Sequence, residues 1–78
     1  LLKMTIEQMK GIAKEHMNKQ ISYLIDDVIT ADEARGTLVA LFYVELFSSD
    51  EFSCYFDRIC QVELENLKHY STKNGSPQ

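Results

Sequence analysis

The sequence predicts an all-α protein, a compact three-helix domain, and three observations predict it. Three segments open with one cap pattern, a hydroxyl followed three residues later by Glu or Gln: Thr5 with Gln8, Thr30 with Glu33, and Ser48 with Glu51. In that pattern the two side chains satisfy backbone donors that a helix start leaves without partners. Each cap follows an apolar residue with a second one five positions on, Met4 and Met9, Ile29 and Ala34, Phe47 and Phe52, which is the hydrophobic-staple spacing. Behind the caps the apolar residues recur every three or four positions, the period of a helix with one buried face.

The first helix is expected over about 6–28, with apolar residues at 6, 9, 13, 17, 21, 24 and 28, and with Ile12 and Ile25 widening the stripe. Gly11 falls inside it at a cost of about 1 kcal/mol relative to Ala. Either a second helix approaches closely there or the first turns fray. The second helix is expected over about 31–46. It contains Leu38-Val39-Ala40-Leu41-Phe42-Tyr43-Val44, a run without a charge, Gly or Pro. At helical pitch such a run covers every side of the rod, so its own chain or a partner must bury it. Gly36, near the start of this helix, predicts a close crossing by a neighbour. The third helix is expected over about 49–69, with Phe52, Tyr55, Phe56, Ile59, Val62 and Leu67 inward and Asp57, Arg58, Glu65 and Lys68 outward. Residues 71–78 contain no apolar side chain and are expected to form a flexible tail after a single domain spanning 1–70.

One echo runs through the sequence. Ile29-Thr30-Ala31-Asp32-Glu33 and Phe47-Ser48-Ser49-Asp50-Glu51 match at a spacing of 18 residues. A duplication accounts for it, and so do two copies of one capping solution.

Composition narrows the function. A chain of 78 residues makes one small core, worth on the order of 3–5 kcal/mol of net stability, so association would help it. The net charge of −4 is unevenly placed: residues 20–65 carry ten Asp or Glu against Arg35 and Arg58, while the two ends are mildly basic. Binding a nucleic-acid backbone needs clustered Lys and Arg, so nucleic acid is not an expected partner. Cys54 and Cys60 are six apart in one helix, too far round and along it for a bridge, and two free thiols suit a reducing compartment. With no apolar leader at residues 1–3 and no run approaching the roughly 20 residues of a membrane span, the expected location is the cytoplasm.

No catalytic residue, cofactor site, metal site or small-molecule site is expected. His16 and His69 have no ligand at metal-binding spacing, and neither C-x-x-C nor H-x-x-x-H occurs. Cys54 reads as a small buried apolar side chain rather than a nucleophile. Asp32-Glu33 and Asp50-Glu51 sit in first helical turns, where the macrodipole favours negative charge, so capping explains them without paired-carboxylate chemistry. No phosphate-binding glycine loop or nucleophile elbow is present, and no motif identifies a family.

The informative feature is the second helix, because two neighbours cannot cover all of it. Val39, Phe42, Tyr43, Leu46 and Tyr55 are the expected interface residues, rimmed by Asp27, Asp32, Glu45 and Asp50. The chain is thus expected to be an acidic protein-protein interaction module, a regulator, adaptor or inhibitor, and a homodimer through the second helix. Bacterial or phage origin fits this type of small protein by association, not by physics. Two rivals remain. A helix-turn-helix DNA binder has the connectivity but opens its third helix with carboxylates facing phosphates. An acidic mimic of nucleic acid, blocking a DNA-binding protein, uses the same charges in the opposite way.

Overall fold

In the computed structural model, which describes the backbone of residues 3–73, the three cap sequences start three helices: α1 (Ile6–Ile25), α2 (Ala31–Tyr43) and α3 (Ser49–Lys73). The caps close as reciprocal pairs. The Gln8 backbone N–H donates to Thr5 Oγ1 at 3.0 Å while Gln8 Oε1 accepts from the Thr5 N–H at 2.9 Å. Glu33 and Thr30 repeat this at 3.1 and 2.8 Å, and Glu51 and Ser48 at 3.1 and 2.9 Å.

The helix ends differ from expectation in one consistent way. α1 stops at Ile25 rather than 28, and α2 at Tyr43 rather than 46, because Asp27 (φ 62°) and Glu45 (φ 67°) turn the backbone into the left-handed region. Each is followed by the hydrogen-bond pair of a Schellman motif. Asp27 N–H reaches Leu24 O at 3.0 Å and Val28 N–H reaches Tyr23 O at 2.7 Å. Glu45 N–H reaches Phe42 O at 2.9 Å and Leu46 N–H reaches Leu41 O at 3.0 Å. The two connections therefore have the same length and the same construction, so the echo at 29–33 and 47–51 extends back to Asp27 and Glu45. α3 runs on to Lys73, past the expected 69, since no Gly or Pro interrupts the sequence before Gly75. The expected tail, 71–78, is thus helical in its first three residues, and 74–78 lie outside the described residues.

Contacts between the helices fix an up-down-up bundle. Lys14 meets Glu51 and Asn66 donates to Leu24 O, so α1 and α3 run parallel. Arg35 meets Glu63 whereas Phe42 meets Phe52, so α2 and α3 run antiparallel. At the centre Met17, Ile21, Leu38 and Ile59 are fully buried, and Ala13, Ala31 and Ala34 let the helices approach. Phe47, Leu24 and the half-buried Phe52, Tyr55, Phe56 and Val62 complete the core. The same register leaves about two turns of α1 beyond the start of α3, and about two turns of α3 beyond the end of α1. That offset explains why Ile6 and Leu67, both on inward stripes, are exposed.

Neither helical glycine marks a close crossing. A Cβ built at Gly11 or at Gly36 meets nothing within 4 Å, and α1 is continuous through Gly11. Cys54 is exposed rather than buried, Cys60 is half-buried, and both are free thiols. No helix among the described residues is long and apolar enough to cross a membrane.

Candidate interaction surface on the second helix

The apolar run at 38–44 is covered on one side only. Leu38 is fully buried and Leu41 half-buried, but Val39 is 50 %, Tyr43 84 % and Val44 60 % exposed. The helical period accounts for this division: Ala31, Ala34 and Leu38 share the face turned to α1 and α3, which places Asp32, Gly36, Val39, Ala40 and Tyr43 on the opposite one. Around Gly36 and Ala40 that outer face is shallow, while Val39 and Tyr43 stand out from it. Such a surface admits another helix at close range without having to displace a side chain.

The five expected interface residues are not equivalent. Val39 and Tyr43 lie on the outer face. Phe42 is at its edge, with its ring 4.6 Å from that of Phe52, which in turn lies 5.7 Å from Phe56. This aromatic row closes the seam between α2 and α3. Leu46 is half-buried as the last residue of the Schellman motif, and Tyr55 packs on Phe47 at 5.1 Å as part of the core. Val44, outside the expected set, belongs to the exposed surface. Its position in the uninterrupted apolar run was the available signal.

The acidic rim is divided between the two ends of α2. Asp27 and Asp32 lie at its N-terminal end, Glu45 and Asp50 at its C-terminal end. Asp32 is engaged by Arg35 Nη2 at 2.7 Å. Arg35 also holds Glu63, through Nη1 at 2.9 Å and Nη2 at 3.3 Å, and its Nη1 lies 3.8 Å from Cys60 Sγ. The Glu63 and Asp32 carboxylates keep the guanidinium pKa above its already high ordinary value. Glu51 moves the other way. The Ser48 backbone amide, and after it the Lys14 ammonium, hold its carboxyl below the usual glutamate range.

Among the described residues no group of three or more His, Cys, Asp or Glu is arranged to hold a metal ion. The site consists of an apolar helix face with carboxylates at its ends. No family model matches the chain, and neither a curated protein nor a solved structure is significantly similar to it.

Proposed function

We propose that this protein is an interaction module, a regulator, adaptor or inhibitor that works by binding protein through the outer face of α2. The observation that supports the reading is the exposure of Val39 and Tyr43 along α2 and of Val44 just past its end, beside the open space over Gly36. Large exposed apolar side chains lying contiguously on a small domain are a liability unless something covers them. Tyr43 is suited to be the central anchor, because a large ring ending in a hydroxyl contributes strongly at interfaces. The simplest form is a homodimer, α2 against α2 across a two-fold axis, since a two-fold contact lets one patch cover its own copy. The acidic opening of α3, Asp50 and Glu51, weighs against the DNA-binding alternative.

Sedimentation equilibrium of the wild type and of Tyr43→Glu tests the dimer: a wild-type dimer and a folded monomeric variant are expected. Photocrosslinking in the source cell, from a reactive side chain at position 43 and from one at position 57 as control, tests the broader reading. Discrete adducts from 43 alone are expected, and indistinguishable labelling from both positions would sink it.

A further inference from the structure

A second uncovered surface lies at the end of the bundle where α3 overhangs. Leu67 (59 % exposed) and Tyr70 (56 % exposed) continue the inward stripe of α3 after α1 has ended, and Ile25 is exposed beside Tyr70. Two hollows share Asp27, Asn66 and Tyr70 as their common wall. One, of about 300 Å³, extends to Ile25, Asp26 and His69. The other, of about 190 Å³, extends to Leu24, Ile29, Glu63 and Leu67. Asn66 is fixed in this wall by its 2.9 Å bond to Leu24 O.

The charge of this surface states what kind of chain covers it. Asp26 and Asp27 are exposed and directly follow the C-terminus of α1, where the helix dipole is already negative, and the last turn of α1 has no basic residue. Arg35, on the neighbouring helix, is engaged with Asp32 and Glu63. An apolar hollow beside exposed carboxylates is complementary to apolar side chains beside a cation.

We infer that this end of the bundle binds a basic amphipathic segment of another protein. Apolar side chains of the segment enter the hollow lined by Leu24, Ile29 and Leu67, and a Lys or Arg in the neighbouring one is held by Asp26, Asp27 and the carbonyl end of α1. The surface is separate from the outer face of α2 and does not rest on the function proposed for that face.

The experiment titrates the full chain into two labelled helical peptides, one of Leu and Lys and one of Leu and Glu in the same amphipathic pattern, and reads fluorescence anisotropy. The Leu/Lys peptide is expected to bind and the Leu/Glu peptide to fail. Replacing Asp26 and Asp27 together by Asn, or Leu67→Ser, should weaken binding about tenfold, the loss of one good contact. Glu7→Gln combined with Asp57→Asn removes the same charge elsewhere and should change binding less than twofold, as should Tyr43→Glu on α2. Helicity and melting midpoint confirm that each variant is folded. Equal weakening by the distant charge pair would reduce the effect to diffuse attraction and overturn the inference. Absence of Leu/Lys binding would overturn it too, as would a dimer that Leu67→Ser dissociates.

Discussion

Arg35 grips Glu63 across the seam between α2 and α3 with both terminal guanidinium nitrogens, Nη1 at 2.9 Å from Oε1 and Nη2 at 3.3 Å from Oε2. The residues are 28 apart in sequence, so the pair ties two helices together instead of decorating one. Bidentate geometry and the partial burial of the arginine lift it above an ordinary surface pair.

Glu63→Gln should therefore destabilise the fold by about 0.5–1 kcal/mol. Asp32→Asn should cost less, because Asp32 is almost fully exposed and bonds only within its own helix. Urea unfolding midpoints order the two variants. The reverse order would mean that the seam is held by Phe42 and Phe52 and that the ion pair is incidental.

The two helix ends at Asp27 and Glu45 predict an unusual gain. Both residues hold a left-handed backbone that costs an L-residue roughly 1–2 kcal/mol and costs Gly nothing sterically. Both also place a carboxylate at a helix C-terminus, against the dipole. Asp27→Gly and Glu45→Gly should each raise stability by about 1 kcal/mol, and their effects should add, since the sites sit at opposite ends of α2. A lower denaturation midpoint for either variant would show that its turn is not the Schellman motif described.

Gly36 separates stability from binding. Its added Cβ meets nothing within 4 Å, so Gly36→Ala should stabilise α2 by about 0.5–1 kcal/mol. The same methyl stands on the face beside Val39 and Tyr43, where a docked helix would have to retreat. A variant that melts higher yet binds its α2 partner, or its own copy, more weakly is the expected result. Unchanged binding would place the contact nearer Val44, past the end of the helix.

The legibility of this fold in its sequence follows the range of the interactions. The three N-caps span four residues each, and Thr5, Thr30 and Ser48 could be read directly. The C-caps could not, because their usual signal is Gly or Asn and here Asp27 and Glu45 occupy the position. Those two misplaced ends moved Val28 and Leu46 out of their helices. The exposure of the α2 run followed from counting helices, whereas its division into buried Leu38 and exposed Val39 and Tyr43 needed the phase of the helix against the core. The uncovered groove at Leu67 and Tyr70 depends on the offset of α3 against α1, and no local pattern encodes it. Arg35, one of two cations in an acidic stretch, gave no hint that its partner lay 28 residues away.

The third cap carries the pH dependence. Glu51 accepts from the Ser48 N–H at 2.9 Å and lies 3.3 Å from the Lys14 ammonium, and both favour its charged form. Its pKa in the folded chain is therefore below the unfolded value of about 4.3. Between those two values the unfolded chain binds more protons, so the contribution of Glu51 is complete above the unfolded value and is lost as pH falls through the folded one. Lowering the pH from about 6 to about 3 should reduce the wild-type midpoint more than that of Glu51→Gln, which keeps an acceptor for Ser48 but cannot titrate. Because the Ser48 amide is the larger cause, Lys14→Met should retain most of this slope, while Ser48→Ala should cost about 1 kcal/mol at neutral pH through the lost cap. If Lys14→Met flattens the acid limb as fully as Glu51→Gln does, the ion pair between α1 and α3, and not the cap, governs Glu51.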